Sequence, residues 1–372
     1  MRLGLHTQCL IETHRGVGFY TLALLEALKA QNLEITCFHA PGNHPSISDV
    51  DHHLFRKPLP VPFSHSAAAL LHSSCFEKVD LFHFPVPKVL YGRRPKVPIV
   101  ITIHDIMALR FPKLFPKSTR LMMSHFLPRY LREADIISVV STQTKLDLLD
   151  MFPLPQEKIV VIPPPLLPRH REITLEKEPY FFYIGSFEPR KNLPRIIEAF
   201  ALLKSREKIP HKLILAGGEE GVYKIPWDLI HKHNLQDEVI HKGYISEEEK
   251  AYLFQHAALL LWPSLYEGFG LPLLEAMASG TPIVTSDLSS IPEVVGDAAE
   301  CVDPTDIDQI ADACWKILSS EEHAQILIKR GLERATNFTL EGFGKAHLEL
   351  YQTVLGGNYG SLCSVSSDSA SP

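Results

Sequence analysis

Short apolar runs alternate with longer amphipathic stretches along nearly the whole chain. In the first half, residues 3–5, 33–38, 79–84, 97–103, 136–140 and 159–162 read as buried strands, and residues 19–28, 119–133 and 142–150 read as helices. Residues 40–75 carry little periodicity and predict loops, with one short strand near 54–56. Pro163, Pro164, Pro165 and Pro168 then stiffen the chain ahead of the charged stretch 169–178, which predicts an interdomain linker. The alternation restarts with strands at 180–184, 212–216, 239–242, 258–262 and 282–285 and helices at 193–204, 246–254, 273–279, 305–318 and 324–335. A last helix over 341–354 precedes a Gly/Ser tail, 356–372, that predicts disorder.

Strands alternating with helices imply crossover units on parallel sheets, so the fold class is α/β. A chain of 372 residues exceeds one typical domain. The linker divides it into a first doubly wound domain, 1–167, and a second, 168–350, whose facing strand ends would form a central cleft. Hydrophobic content of 45% suits a packed core, and a net charge of −6 argues against nucleic acid as partner. The six cysteines form no CxxC pair and the nineteen histidines no HExxH, so neither disulfides nor a metal site is expected. The N-terminus lacks the apolar core of a secretion signal, and no run reaches the roughly 20 apolar residues of a membrane span. A cytoplasmic protein is expected.

The segment 263–282, PSLYEGFGLPLLEAMASGTP, carries the densest chemistry. Glu267 and Glu275 stand eight positions apart, with Gly268, Phe269, Gly270 and Leu271 between them. Pro272 predicts helix entry near Leu271, which puts Glu267 on a loop at the carboxyl end of a strand and Glu275 in the first turns of a helix. Ligands bind open α/β sheets at that end. Carboxylates accept hydrogen bonds from sugar hydroxyls, while free amides and a helix N-terminus hold phosphate, so the segment suits a nucleotide-sugar. Each glutamate alone is as well explained by loop structure or by the helix dipole. A second strand–loop–helix junction, 185–193, places Arg190 beside Lys191; a planar fork and a point charge suit a diphosphate.

Together these segments resemble the Glu-x7-Glu and GxxxPRKN motifs of the retaining GT-B glycosyltransferases of family 4, which include mannosyl- and glucosyltransferases. The resemblance covers most of residues 1–350. It implies two Rossmann-like domains, the second binding the donor and the first the acceptor, with the last helix crossing back. It assigns Arg190 and Lys191 to the leaving diphosphate, Glu267 to the donor sugar and Glu275 to ribose. Where some relatives carry an arginine after the first glycine, Ser186 stands here. Gly16 and Gly18, read as a loop after the first strand, would face the donor phosphates. His104, ending the apolar run VITI, would contact the donor sugar or orient the acceptor, with Asp105 beside it; Asp105 alone also reads as a turn cap. Tyr244 and Ile245 would hold the base through their backbone, just before the Ser246–Glu249 capping box. Asp306-Ile-Asp308 is formally a DxD but reads as a helix start, so no metal is assigned.

The implied activity is transfer of a hexose, mannose by preference, from a nucleoside-diphosphate sugar to a glycan or lipid-linked acceptor, with no cofactor. Alternatives on the same motifs are a phosphorylase or epimerase, or a non-catalytic nucleotide-sugar sensor or assembly subunit. Residues 112–132 carry five cations, no acids and interleaved apolar side chains. They read as a crossover helix with a solvated basic face, or alternatively as a peripheral membrane contact.

Overall fold

The computed structural model describes residues 1–12, 16–39, 50–54, 78–87, 96–115, 117–167, 176–218 and 223–357. The chain forms two compact units, Met1–Leu167 with Phe338–Pro372, and Pro168–Asn337. In unit 1 the strands are β1 (Arg2–His6), β2 (Glu34–His39), β3 (Asp51–Leu54), β4 (Leu81–Phe84), β5 (Ile99–Ile103), β6 (Ile136–Val139) and β7 (Ile159–Val161). They pair in parallel in the order β3-β2-β1-β4-β5-β6-β7. Helices α1 (Gln8–Glu12), α2 (Gly16–Lys29), α3 (Met107–Arg110), α4 (Lys117–Glu133) and α5 (Thr142–Met151) connect them. Every residue of β4, β5 and β6 is buried. Both faces of a parallel sheet are covered by crossovers, which is why these strands read as unbroken apolar runs.

Unit 2 contains β8 (Glu178–Ile184), β9 (Lys212–Ala216), β10 (Val239–Gly243), β11 (Ala257–Trp262), β12 (Ile283–Ser286) and β13 (Glu300–Val302), also parallel, in the order β10-β9-β8-β11-β12-β13. Its helices are α6 (Leu193–Glu207), α7 (Trp227–Lys232), α8 (Glu247–His256), α9 (Leu271–Ala278), α10 (Ile291–Val295), α11 (Ile307–Ser319) and α12 (Glu321–Ala335). In each sheet the winding reverses once, between β1 and β4 and between β8 and β11. A crevice opens at such a reversal, outside the carboxyl ends of the strands.

The last helix, α13 (Leu340–Gly356), belongs to unit 1 and packs on α2. Gly344 makes the close approach: a Cβ there would lie 2.8 Å from the Ala27 carbonyl oxygen. Beneath this contact His83, Thr102, His347 and the rings of Tyr20 and Tyr351 are all buried. Burial holds both imidazoles neutral, moving His83 well below its usual range and His347 down to about 4. An unfolded histidine takes up its proton near pH 6.5, whereas folded His347 resists until about 4. The unfolded state therefore binds more protons across that window, and stability falls as pH drops through it. His347 alone should contribute a loss on the order of 3 kcal/mol between pH 7 and pH 4. Urea midpoints measured over this range check it; an unchanged slope in His347→Leu would remove the assignment.

Several sequence expectations shift. The strand expected near 54–56 lies at β3, where the polar run Asp-His-His-Leu is fixed by pairing with β2, Thr36 opposite Asp51. Gly16 and Gly18 are not in a loop: they form the first turn of α2, and residues 13–15 lie outside the described ones. A first turn leaves its amides unbonded within the helix; here Gly16 is exposed and Gly18 is buried. Residues 112–132 do not make one helix. A 3₁₀ turn at Pro112–Leu114 precedes α4, whose Arg129 is neutralised by Glu133 at 2.8 Å and whose Leu127, Tyr130 and Leu131 are buried. Much of the expected linker, 168–175, and residues 358–372 of the expected tail lie outside the described residues, while Gly356 is helical. Lys177 is no linker residue: its ammonium donates to the carbonyls of Gln255 and Gly280 at 2.7 and 2.8 Å.

Candidate active site

The reversal between β8 and β11 brings the two motif segments together. At the end of β8, Gly185 adopts φ +151°, and the next strand over ends in Gly217, where a Cβ would fall 2.0 Å from the Gly185 carbonyl oxygen. Only glycine permits that backbone contact. A 3₁₀ turn, Pro189–Lys191, follows, and Asn192 then enters α6 in the left-handed region, φ 63°. Its amide does not cap α6. It donates instead to the carbonyls of Pro263 and Pro304 at 3.0 and 2.6 Å, while the Leu265 N–H donates to the Arg190 carbonyl at 2.7 Å. The loops after β8, β11 and β13 are stitched into one wall.

Beyond β11, Gly270 at φ +114° turns the chain into α9, which begins at Leu271 as the proline pattern predicts. Ser289 holds the loop like a pincer: its hydroxyl accepts from the Glu267 N–H at 3.2 Å and donates to the Glu267 carbonyl at 2.7 Å. The Ser290 hydroxyl lies 2.9 Å from the same carbonyl and 3.0 Å from that of Phe269. Phe269 is buried and Gly268 and Leu271 are half-buried.

The backbone thus fixed places the Glu267 carboxylate between two cations. Arg190 Nη1 donates to Oε2 and Lys191 Nζ to Oε1, both at 2.7 Å. Arg190 Nε donates to Glu188 at 2.7 Å, and the Lys191 ammonium lies 4.3 Å from the centre of the Trp262 ring. Glu267 and Lys191 are 6% and 7% exposed, so the charges interact at low dielectric. Burial raises a carboxyl, but the Arg190 and Lys191 charges outweigh it and hold Glu267 below the usual range. Burial pulls Lys191 down to about 8 against the opposing pull of Glu267. Burial, helped by the Glu267 charge, lifts the Tyr183 phenol well above its usual range. Two acids and two bases meet here, so any anion reaching the cations would compete with carboxylates already in place.

Glu275 joins a different group. It pairs with Lys250 of α8 at 2.8 Å, and Lys250 also reaches Glu247 at 3.0 Å. The loop just before α8 carries Tyr244 and Ile245. Tyr244 is 77% exposed, and a Cβ on Gly218 would lie 2.3 Å from its ring, so ring and glycine backbone are in contact. The Ser246 hydroxyl caps α8 by accepting from the Glu249 N–H at 3.1 Å, but the Glu249 carboxylate turns to Lys242 at 2.8 Å, giving half of the expected box. The second carboxylate of the motif therefore stands beside α8, the helix that follows the Tyr244 loop. Asp306 caps α11 by accepting from the Gln309 N–H at 3.1 Å, a structural role as expected.

In unit 1, His104 follows β5. Its Nε2–H donates to the Pro85 carbonyl at 2.8 Å, which leaves Nδ1 as the acceptor of the neutral ring. Burial moves His104 below its usual range, against the Pro85 bond and the Asp105 charge. Asp105 accepts from the Met107 N–H at 3.0 Å and caps α3, the plainer of its two readings.

Comparison with known proteins fits this geometry. Residues 169–334 match the family described as Glycosyl transferases group 1, and residues 14–166 match Glycosyltransferase Family 4. The O-antigen chain mannosyltransferase B of Escherichia coli is 32% identical over 267 residues, 68% of this chain and 70% of that protein. The chain belongs to the group 1 glycosyltransferases. The MMP alpha-(1->4)-mannosyltransferase of Mycolicibacterium hassiacum is 30% identical over 61% of this chain and 56% of its own length. Among solved structures, sucrose-phosphate synthase of Thermosynechococcus elongatus superposes with a TM-score of 0.72 at 21% identity, covering 96% of this chain and all of that one. Anabaena HepE, solved with UDP and glucose, gives 0.71 at 16% identity over 95% of this chain and 100% of its own. Both neighbours share the GT-B fold with this glycosyltransferase.

Four residues of the candidate site escape motif reading: Glu188, which clamps Arg190; Trp262, beneath Lys191; Lys250, which holds Glu275; and Ser289, which grips the Glu267 backbone. Glu188 was visible two positions from Arg190. Trp262 ends the predicted strand that leads into 263–282, though nothing local ties it to Lys191; Lys250 and Ser289 lie outside both motif segments, where no local signal points to them.

Proposed function

We propose that this glycosyltransferase moves mannose from GDP-mannose to a hydroxyl of a glycan or lipid-linked acceptor, retaining the anomeric configuration and needing no metal. The reading rests foremost on the cluster at the β8/β11 reversal, where Arg190 and Lys191 meet Glu267 within 2.7 Å. Two mannosyltransferases among the relatives, and HepE in complex with UDP and glucose, support it.

In this reading the leaving diphosphate exchanges places with part of the carboxylate shell around Arg190 and Lys191. Fixed cations in a dry site stabilise the charge that develops as the glycosidic bond breaks. Glu267, released from one cation, accepts from the sugar hydroxyls. Glu275 takes ribose hydroxyls, with the base against the backbone of Tyr244 and Ile245. Amides at the start of α2, Gly16 to Gly18, and of α9, Gly268 to Leu271, serve the phosphates. His104 accepts through Nδ1 from a hydroxyl of the donor sugar or the acceptor. For residues 112–132 the solvated basic face is the better reading, since Arg129 is already paired and Leu127, Tyr130 and Leu131 are buried, which leaves Leu121 as the exposed large apolar side chain of α4 among the described residues.

Thermal stabilisation by a panel of UDP-, GDP- and ADP-sugars tests the donor; at a concentration 100 times Kd a bound donor adds about 2.7 kcal/mol. GDP-mannose is expected to stabilise most and to be turned over. Binding without turnover would instead mark a nucleotide-sugar sensor. Glu275→Ala should weaken GDP-mannose binding about tenfold with turnover at saturation nearly unchanged, as loss of a charged hydrogen-bond acceptor implies. Unaltered affinity in calorimetry would take ribose away from Glu275.

A further inference from the structure

Behind His104 a chain of buried hydrogen bonds begins and ends on α13. The His347 ring bonds the Phe343 carbonyl through Nδ1 at 2.9 Å, and a carbonyl only accepts, so Nδ1 carries the proton and Nε2 must accept. The acceptor nitrogen lies 3.1 Å from the Tyr20 hydroxyl, which therefore donates to it. Tyr20, its hydrogen spent, accepts from Thr102 at 3.3 Å. Thr102, its own hydrogen spent, accepts from His83 Nε2 at 2.9 Å, and His83 Nδ1 then accepts from Tyr351 at 2.6 Å. One carbonyl at the end thus fixes the direction of every bond and the tautomer of both histidines. All five side chains are at most 1% exposed.

This chain reaches His104 from two sides. The Tyr20 ring stands perpendicular to the His104 ring, centroids 4.8 Å apart and planes at 88°. Thr102 lies two residues before His104 on β5, and His83 lies two residues before Pro85, whose carbonyl takes the His104 proton. A neutral His104 ring could rotate or exchange tautomers. The Pro85 bond fixes which nitrogen is the acceptor, and the Tyr20 ring fixes the plane in which it points.

We infer that Tyr20, with His347 and Tyr351 of α13 behind it, is a positioning residue that orients His104 for its substrate hydroxyl. The inference rests on the role given to His104 above. It makes the docking of α13 a condition for an aligned His104. Tyr20 itself needs no contact with substrate.

A double-mutant cycle in the full-length protein tests this, reading GDP-mannose hydrolysis and calorimetric GDP affinity. Tyr20→Phe keeps the ring but removes the hydroxyl link. It should lower the hydrolysis rate at saturating donor about tenfold and leave GDP affinity within twofold. Tyr351→Phe, three bonds further along, should give a smaller loss of the same kind. In a His104→Ala background both substitutions should have no further effect on rate, because the ring they orient is gone. If Tyr20→Phe costs the same factor with and without His104, the positioning role is wrong while the role of His104 stands. If His104→Ala alone hydrolyses donor at the wild-type rate, the assigned role of His104 falls and the inference falls with it. Melting temperatures identify any variant lost to unfolding; the Tyr351 arm of the cycle then decides.

Discussion

Arg190→Ala combined with Lys191→Ala should reduce turnover about a thousandfold or more, measured under conditions where melting temperatures show the variant folded, since the buried Glu267 carboxylate is left without its two cations. Removal of a single preorganised donor to developing charge costs on the order of 10²–10³ in rate, and this pair supplies the two positive charges that meet Glu267. The loss should appear in turnover more than in donor affinity, because charge on the leaving group is greatest in the transition state. Lys191 adds a pH signature. Its ammonium, lowered to about 8 by burial, loses its proton as pH rises through that value, so turnover should decline above about pH 8. Lys191→Arg, which cannot deprotonate in this range, should flatten that limb. A profile level to pH 9.5 in the wild type would argue that Lys191 is not needed as a cation. Near-wild-type rates in the double alanine variant would dismiss the leaving-group assignment.

Glu267→Ala should have the second large effect, and its direction differs between stability, nucleotide affinity and rate. The carboxylate is buried and is the shared partner of both cations. Breaking a buried ion pair by deleting one partner costs roughly 3–5 kcal/mol, because the remaining charge stays desolvated and unpaired. Part of that cost is relieved when Lys191 releases its proton, so the stability loss should shrink as pH rises above neutrality. GDP should bind the variant more tightly, since the diphosphate no longer competes with an internal acid for Arg190 and Lys191. Sugar transfer should nonetheless fall sharply, as the group accepting from the sugar is absent. Tighter GDP binding together with slower transfer separates this account from simple unfolding, which would weaken both. Glu267→Gln, isosteric but neutral, should show the same signs with a smaller loss of stability.

Both expectations concern contacts between segments that sit far apart in the chain, and they show which part of the site is readable in a sequence. Glu267, Glu275, Arg190, Lys191 and His104 were identifiable because each lies at a strand–loop–helix junction, where apolar run, glycine and proline mark the carboxyl end of a parallel strand. That Glu267 would meet the two cations directly, and that Glu275 would turn to Lys250 instead, had no local sign. The eight-residue spacing suggests one ligand surface, but the turn at Gly270 separates the two carboxylates onto different neighbours. Helices α1, α3 and α10, of four or five residues, were illegible because so short a segment shows no period. β13, Glu-Cys-Val, was illegible because an edge strand need not be apolar. The glycines of the first domain were placed in a loop because glycine is a poor helix former; a helix start tolerates it.

By itself the sequence determined that this chain folds as two doubly wound α/β units, where most of their strands lie, and that it carries a family 4 glycosyltransferase pattern at the carboxyl ends of several of them. Periodicity, glycine and proline are local properties, and burial of short apolar runs on a parallel sheet needs nothing else. The tertiary structure alone decided the pairing of the charges, the pull on Lys191 and the closed chain of hydrogen bonds from α13 to Tyr20. Those depend on distances between side chains as far as 327 residues apart and on the exclusion of water around them. Both are consequences of packing, and neither is written in any single stretch of the chain.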